Sequence, residues 1–213
     1  LENNMKGVIF DFDGVIFDSE VIYLESLLQY LESIGVHSTM SEVQYLIGMR
    51  MQEICIALQK QFNLYNHSLD ELRFGQYEYF DRLMESSDIQ AMPGLSDFLA
   101  RCKEKNMTIA VASSSGEEYI VDLLKRFNVY EYFHHIVSGS CVEHGKPQPD
   151  IFLYALNKMG LNKEDVMIIE DSINGIKAGI ASGMYTIGFK GSKIVQDTSQ
   201  ANIEVHAFSE IAL

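Results

Sequence analysis

Five short runs of apolar, β-favouring residues recur along this chain, and each run is followed by loop residues and then by a helical pattern. Within each run the apolar character is nearly continuous, which is typical of strands that are buried on both faces of a parallel sheet. Alternation of such strands with helices predicts an α/β fold with an open, mostly parallel sheet flanked by helices. The predicted strands begin at Gly7, Thr108, His135, Val166 and Tyr185.

Two helices of this α/β part have recognisable ends. Asp150 precedes a periodic apolar stretch that stops at Gly160, and either Ser172 or Asn174 opens a second stretch that stops at Gly183. Short polar side chains are preferred just before the first turn of a helix, and glycine is preferred just after the last turn. Both segments are therefore predicted helices that pack on the sheet.

The region from about Ser19 to about Ile89 breaks the strand–helix rhythm, because it has helical periodicity and almost no strand signal. A Met-Pro-Gly turn at residues 92–94 marks the return to the sheet. We expect a small all-helical cap domain inserted after the first strand. The predicted domains are residues 18–91 for the cap and residues 1–17 with 92–213 for the core.

Length and charge limit the class of protein. The 213 residues are enough for one α/β domain with a smaller insertion. The formal net charge of −14 argues against a nucleic-acid partner, which needs stripes of Lys and Arg. It does not exclude small anionic substrates, since a bound cation can outweigh the average field.

Cysteine usage and apolar runs bear on the compartment. Cys55, Cys102 and Cys141 lack metal-ligand spacing, as expected of reduced thiols. The longest apolar stretches, about five or six residues, are too short to span a bilayer. Residues 1–4 are either a short native lead or an added remnant, and they do not resemble a signal peptide. We expect a cytoplasmic protein that binds no membrane, and a monomer is favoured.

Four groups of polar residues share one position in the predicted fold, at or just beyond the carboxyl end of a strand. Ligands of open α/β sheets bind outside these ends, where the strand order reverses. Residues that are far apart in the sequence are therefore expected to converge on one rim. The groups are Asp11 with Asp13, Ser113-Ser114-Ser115, Lys146, and Glu170 with Asp171.

The residue types at this rim suit a phosphate bound beside a cation. Several close carboxylates repel one another or take up protons unless a cation neutralises them, and hard oxygen ligands suit Mg²⁺. The Ser113 hydroxyl and nearby backbone N–H groups can hold phosphate oxygens, and Lys146 can supply a positive charge. Asp11 can attack phosphorus, and Asp13 can transfer the proton. Each residue alone also has an ordinary reading as a turn residue, a helix cap or a solvated lysine.

The chain resembles the haloacid dehalogenase superfamily, in its phosphatase and β-phosphoglucomutase-like branch with a small helical cap. The motifs that carry this resemblance occur in the family's order and span essentially the whole chain. They read VIFDFDGV at 8–15, VASSS at 111–115, GKPQPDIF at 145–152 and IEDSINGIKAG at 169–179. The resemblance implies a Rossmann-like core, Mg²⁺ as the cofactor and a small phosphorylated metabolite as the substrate.

The resemblance also implies roles for individual residues. Asp11 is the implied nucleophile, and Asp13 is the implied general acid/base, which ligates the metal through its backbone carbonyl. Since ester-cleaving members carry an aspartate at the position of Asp13, phosphomonoester chemistry is expected. The implied metal ligands are Asp11, Asp13, Glu170 and Asp171, and the implied phosphate-binding residues are Ser113, Ser114 and Lys146.

Substrate choice is expected to depend on cap residues, because the cap of such relatives closes over the site and excludes water. Arg50 either reaches a second anionic group or stays solvated. Tyr23 stands where relatives commonly carry a histidine that mutases use, and it either contacts substrate or packs inside the cap. Met51 stands where mutases place an arginine. We therefore predict a phosphatase, with a sugar-phosphate mutase as the first alternative and a non-catalytic binding or regulatory protein as the second.

Overall fold

A computed structural model describes residues 5–213, so the nature of residues 1–4 lies outside the described part of the chain. Its strands are β1 (Gly7–Phe10), β2 (Thr108–Ser113), β3 (His135–Ser138), β4 (Val166–Glu170), β5 (Tyr185–Phe189) and β6 (Ile203–Val205). Within residues 5–213 these strands form one sheet in the order β3-β2-β1-β4-β5-β6, and every pair is parallel. The predicted α/β fold with an open parallel sheet is confirmed.

Helices separate the strands along the chain. Those between β1 and β2 are α1 (Glu20–Ser33), α2 (Met40–Val43), α3 (Met51–Phe62), α4 (Leu69–Ser86) and α5 (Leu95–Glu104). Those after β2 are α6 (Glu117–Arg126), α7 (Asp150–Met159) and α8 (Ile173–Ser182). The predicted helical insertion corresponds to α1–α4. None of the helices described in residues 5–213 is long and apolar enough to cross a membrane.

The ends of α7 and α8 follow the expected chemistry. Ser172, and not Asn174, caps α8, because its hydroxyl accepts from the backbone N–H of Gly175 at 2.9 Å. Gly160 and Gly183 follow the two helices in the left-handed conformation, which costs glycine little.

The edge strand β6 was not predicted from the sequence. It contains three residues, of which Val205 is the one that is fully buried. An edge strand of this length lacks the continuous apolar run by which the other strands were recognised.

Side chains of β1 alternate between the two faces of the sheet and so anchor two apolar layers. Val8 and Phe10 pack in the larger cluster with α5 and α6, whereas Ile9 packs on the opposite face with α7 and α8. All three side chains have no exposed area, and full burial of such a side chain contributes about 1.5–3 kcal/mol. The sheet is thus covered on both faces, as a parallel sheet requires.

The inserted helices have an apolar cluster of their own, formed by buried side chains that include Leu24 and Leu31 of α1, Ile54 of α3 and Leu72 of α4. Two connecting segments join these helices to the sheet, and they lie side by side. The backbone N–H of Met92 donates to the carbonyl of Ile16 at 2.8 Å. The carboxyl ends of the central strands lie close to this junction.

Candidate functional site

The carboxyl ends of β1, β2 and β4 are neighbours, because β1 pairs with both of the other strands. Phe10 pairs with Val111 on one side and with Ile169 on the other. The backbone N–H of Asp11 still donates to the Ile169 carbonyl at 2.9 Å. The carboxylates of Asp11 and Glu170 are therefore brought together at the point in the sheet where the strand order reverses.

Lys146 is buried beneath this rim between two carboxylates. Its ammonium lies 2.6 Å from Asp11 Oδ1 and 2.8 Å from Glu170 Oε1, and 1% of its side chain is exposed. Burial alone would lower the pKa of Lys146, but the two carboxylates outweigh burial and raise it. Lys146 therefore stays charged, and with two of its three N–H donors engaged it retains one for a further acceptor.

Three buried carboxylates form a compact oxygen cluster. One oxygen from each of Asp11, Glu170 and Asp171 lies within 4.8 Å of the others. Both oxygens of Asp171 are buried and lack a hydrogen-bond partner among the described residues. Burial, together with repulsion from Glu170 and Asp11, raises the pKa of Asp171 well above its usual range. A cation at this point would satisfy the Asp171 oxygens and remove the repulsion.

The second oxygen of Glu170 has protein partners. Glu170 Oε2 accepts from the backbone N–H of Ser172 at 2.8 Å and from the Ser172 hydroxyl at 3.0 Å. Because Lys146 occupies the other oxygen, the Glu170 carboxylate is held from both sides. Glu170 thus has both oxygens engaged, whereas both oxygens of Asp171 and the second oxygen of Asp11 remain for a ligand.

Two glycines leave space for these carboxylates. Gly14 has φ of +80°, and a Cβ there would overlap the Asp171 carboxylate. In α8, a Cβ at Gly175 would overlap the Glu170 carboxylate. The glycine of the Asp-Phe-Asp-Gly motif therefore serves both the backbone turn and the packing of Asp171.

Asp13 is held by three hydroxyl groups from different parts of the chain. Ser19 Oγ and Ser115 Oγ donate to its two carboxylate oxygens at 2.5 Å and 2.6 Å, and the Tyr119 hydroxyl donates at 3.3 Å. Burial, followed by the Asp13 charge, raises the pKa of Tyr119 well above its usual range, so Tyr119 remains a donor. The roles of Ser19, Ser115 and Tyr119 were not predicted, since nothing in their spacing marks them as partners of Asp13.

The three consecutive serines have separate contacts. Ser113 is buried, and its Oγ accepts from the backbone N–H of Ser115 at 3.0 Å. Ser114 Oγ donates to the carbonyl of Gly48, in the loop before α3, at 2.7 Å. Ser114 therefore joins the core to the inserted helices, a contact that its predicted role as a phosphate ligand did not include.

A cavity of about 300 Å³ opens above the carboxylates, between the sheet edge and the inserted helices. Its floor includes Asp11, Asp13 and the three serines, and its opposite wall includes Tyr23 and several apolar side chains. Tyr23 also packs edge-to-face against Phe80, with ring centroids 6.2 Å apart. Tyr23 thus packs inside the cap and also lines the cavity, and its contact with substrate stays a prediction.

Glu20, at the start of α1, is a further carboxylate of the cavity wall that sequence reasoning missed. Its side chain is 4% exposed, and its Oε2 has no partner among residues 5–213. Burial, followed by the charges of Asp171 and Asp13, raises the pKa of Glu20 well above its usual range. The available signal was its position directly after Asp18-Ser19, a few residues beyond the Asp-Phe-Asp-Gly motif.

Arg50 lies away from the cavity and bridges the inserted helices to the core. Its guanidinium pairs with Glu53 at 2.7 Å and donates to the carbonyls of Val142 and Glu143 at 3.1 and 3.0 Å. Glu53 in turn accepts from the backbone N–H of Gly145, next to Lys146, at 3.3 Å. The guanidinium donors are thus already engaged, and this placement matches neither of the two alternatives, a contact with a second anionic group or a solvated side chain.

Comparisons with known proteins agree with this geometry. The family model described as "Haloacid dehalogenase-like hydrolase" matches residues 8–189. The chain is 30% identical over 183 residues to "Phosphorylated carbohydrates phosphatase" of Thermotoga maritima, covering 86% of this chain and 84% of that protein. It is 32% identical over 121 residues to "Beta-phosphoglucomutase" of Bacillus subtilis, a match that spans 54% of this chain and 53% of that protein.

Solved structures share the whole fold. A beta-phosphoglucomutase from Clostridium difficile superposes with a TM-score of 0.84 at 22% identity, over 98% of this chain and 94% of that chain. CbbY from Rhodobacter sphaeroides, solved in complex with phosphate, superposes with a TM-score of 0.80 at 22% identity, over 97% and 96% of the two chains. At these identities the likeness establishes the fold, including the helices inserted after the first strand.

Proposed function

The chain belongs to the haloacid dehalogenase-like hydrolases, enzymes of phosphatase and phosphomutase type, and from this premise we propose that it is a Mg²⁺-dependent phosphatase of a small phosphorylated metabolite. Its nucleophile would be Asp11, which forms an aspartyl-phosphate intermediate, and its general acid/base would be Asp13. The observation that carries the proposal is the buried cluster of Asp11, Lys146, Glu170 and Asp171, of which Asp11 reaches the floor of the cavity.

The residues present fit a Mg²⁺ ion. The cluster offers carboxylate oxygens, the donor type that this ion prefers, and the unpartnered oxygens of Asp171 leave a place for it. Asp11 and Asp171 would hold the ion, with the Asp13 backbone carbonyl and with Glu170 as a further or outer ligand. When bound, Mg²⁺ would offset the charge of the carboxylates and of the phosphate.

The chain's own residues would carry both chemical steps. A carboxylate oxygen of Asp11 attacks phosphorus, the bond from phosphorus to the ester oxygen breaks, and Asp13 gives its proton to the departing oxygen. Asp13 then takes a proton from water, whose oxygen attacks phosphorus and breaks the bond to Asp11. Lys146, held at 2.6 Å from Asp11 Oδ1, orients the nucleophile and offers its remaining N–H to the phosphoryl group.

The remaining predictions stay proposals. Ser113 and Ser114 would border the phosphoryl group, since both line the cavity. Residues 18–91 would act as a cap over a core of residues 1–17 and 92–213, with Ser114, Arg50 and the Gly48 loop at the contact. A cytoplasmic location and a monomeric state remain predictions.

Simple hydrolysis fits the cavity better than mutase chemistry. A mutase must hold a sugar bisphosphate in two orientations, which requires cationic groups for the phosphate that is not reacting. The Arg50 guanidinium is instead engaged by Glu53 and two core carbonyls. Met51, which lines the cavity, carries no charge. Both observations favour release of free phosphate over its return to the sugar.

Phosphate release from a panel of phosphorylated metabolites, with Mg²⁺ and with EDTA, tests the proposal. We expect release from at least one monoester with Mg²⁺, and a loss of at least about a hundredfold with EDTA, because metal charge stabilisation contributes several kcal/mol. Conversion of a sugar 1-phosphate and its bisphosphate into the 6-phosphate without free phosphate would favour the mutase. Release that is unaffected by EDTA would contradict the metal assignment.

We expect Asp171→Asn to abolish the stabilisation of the protein by Mg²⁺. For the wild type, Mg²⁺ at a hundredfold excess over its Kd should stabilise the fold by about 2.7 kcal/mol, which raises Tm by roughly 5–10 °C. Thermal unfolding with Mg²⁺ and with EDTA measures this shift. Asp122→Asn, at an exposed position on α6, is the matched control. An equal shift in the Asp171 variant would contradict the ligand assignment.

Without Mg²⁺, we expect Asp171→Asn to be at least as stable as the wild type. Burial, followed by the charges of Glu170 and Asp11, raises the folded-state pKa of Asp171 well above its usual range. Its stabilisation of the fold is therefore fully present below about pH 4 and is lost as the pH rises through the folded-state pKa. The uncharged amide of the variant does not incur that loss. At pH 7 in EDTA we expect Asp171→Asn to unfold at a Tm equal to or above that of the wild type.

A further inference from the structure

The wall of the cavity formed by α1 and α4 contains buried polar atoms that the proposed chemistry does not use. Gln76 Oε1, the Tyr23 hydroxyl and Glu20 Oε2 are each buried without a hydrogen-bond partner among residues 5–213. All three side chains line the same cavity as Asp11. Glu20 also faces Asp171, which accounts for its carboxyl. Buried polar groups in folded proteins are nearly always paired, so the orphaned atoms of Gln76 and Tyr23 on one wall indicate a missing ligand.

Neighbouring hydrogen bonds fix which atom of Gln76 is left without a partner. The hydroxyl of Ser26 donates to the carbonyl of Tyr23 at 2.7 Å. Having used its proton there, Ser26 Oγ accepts from Gln76 Nε2 at 3.1 Å. The amide oxygen is therefore the unpaired atom, and Gln76 needs a donor from a ligand. Gln76 is 1% exposed, so its amide lies in the wall of the cavity and not at the protein surface.

The charges around the cavity exclude a second anionic group. Among the described residues that line it, none is Lys, Arg or His. Asp81 and Glu118, both exposed, add negative charge to the lining. The remaining wall is apolar, with Ile47, Met49 and Phe80 among its side chains. A group that carries hydroxyls on one side and C–H bonds on the other matches this surface, whereas a phosphate or carboxylate would be repelled.

We propose that this wall is a specificity subsite for an uncharged, polyhydroxylated leaving group, such as a sugar or sugar alcohol with a single phosphate. A substrate hydroxyl donates to Gln76 Oε1, and another hydroxyl pairs with the Tyr23 hydroxyl. The inference rests on the proposed phosphatase function and narrows its substrate. It excludes sugar bisphosphates and phosphoglycolate-like esters.

Relative turnover of matched esters by the full chain with Mg²⁺ tests this assignment. Sorbitol 6-phosphate and glucose 6-phosphate are probes whose leaving groups are uncharged polyols. Fructose 1,6-bisphosphate and phosphoglycolate are probes that carry a second anionic group. The leaving group of p-nitrophenyl phosphate is largely apolar. We expect kcat/KM for at least one polyol ester to exceed that for both dianionic probes by about tenfold or more. Comparable or better turnover of the bisphosphate or phosphoglycolate would overturn the inference.

Gln76→Leu should lower the ratio of kcat/KM for the polyol ester to that for p-nitrophenyl phosphate by about tenfold, or about 1.4 kcal/mol. Tyr23→Phe, which keeps the ring and its packing on Phe80, should lower the same ratio in the same direction. Gln76→Lys should raise kcat/KM for fructose 1,6-bisphosphate relative to sorbitol 6-phosphate. Glu20 is a poor test position, because its carboxyl also faces Asp171.

Exposed positions provide matched controls. Gln29→Leu on α1 and Tyr65→Phe, with Tyr65 67% exposed, should leave the ratio unchanged. A ratio that stays unchanged in both Gln76→Leu and Tyr23→Phe would overturn the subsite while leaving the phosphatase intact. If the wild type releases no phosphate from any probe, p-nitrophenyl phosphate included, the proposed function itself fails and the subsite with it.

Discussion

Asp11→Asn is expected to reduce metal-dependent phosphate release by at least about 10⁴-fold, or about 5.5 kcal/mol of activation free energy. The amide keeps the size of the side chain but lacks the charge and lone-pair density with which a carboxylate attacks phosphorus. Lys146 would still pair with Glu170, so the fold around the site should persist. The measurement is kcat and kcat/KM on the best ester, with circular dichroism as the check of folding.

Trapping the covalent intermediate separates a nucleophile from a residue that only positions the metal. Acid-quenched wild-type enzyme should carry a phosphoryl group that hydroxylamine removes, as an acyl phosphate does. The Asp11 variant should carry none. Asp122→Asn, exposed on α6, should behave as the wild type in both assays. Turnover by Asp11→Asn above about a tenth of the wild-type rate would refute the assignment.

Lys146→Met is expected to destabilise the metal-free protein by about 3–5 kcal/mol, because it leaves two buried carboxylates without their cation. For a chain of this size that loss lowers Tm by roughly 6–20 °C. Methionine has about the length of lysine, so the change removes charge with little change in volume. Urea unfolding in EDTA, followed by circular dichroism, gives the free energy of unfolding.

An exposed ion pair between a lysine and an aspartate provides the control. Lys6 lies 2.9 Å from Asp165 at the surface, with 53% of its side chain exposed. Lys6→Met should therefore lower the free energy of unfolding by at most about 1 kcal/mol. The double variant Lys146→Met with Asp11→Asn should be more stable than the sum of the single effects predicts, since one of the uncompensated charges is gone. An equal loss in the free energy of unfolding for Lys6→Met and Lys146→Met would contradict a special role for burial at Lys146.

The predictable part of the fold was the part encoded in local patterns. Continuous apolar runs identified β1–β5, and helix-ending glycines located the ends of α7 and α8. The strand β6 escaped because three residues at an edge need no such pattern. The motif positions of Asp11, Lys146 and Glu170 predicted that these residues lie at one edge of the sheet, because parallel strands place their carboxyl ends together.

Partners within the site were less predictable than its position. Asp13 was identified from its motif, but the hydroxyls of Ser19, Ser115 and Tyr119 that hold it were not. Arg50 was expected to be either solvated or near substrate, whereas it pairs with Glu53 and two core carbonyls. A sequence position does not determine which of several polar neighbours a long side chain will reach.

The sequence by itself determined the order of strands and helices and the residues expected at the carboxyl rim, because periodicity and motif spacing are local properties of the chain. The tertiary structure decided that neither carboxylate oxygen of Asp171 has a hydrogen-bond partner among residues 5–213, and that Gln76, Tyr23 and Glu20 share one wall. Helical periodicity predicts that a face is buried, but the packing of α1 against α4 determines what that face meets.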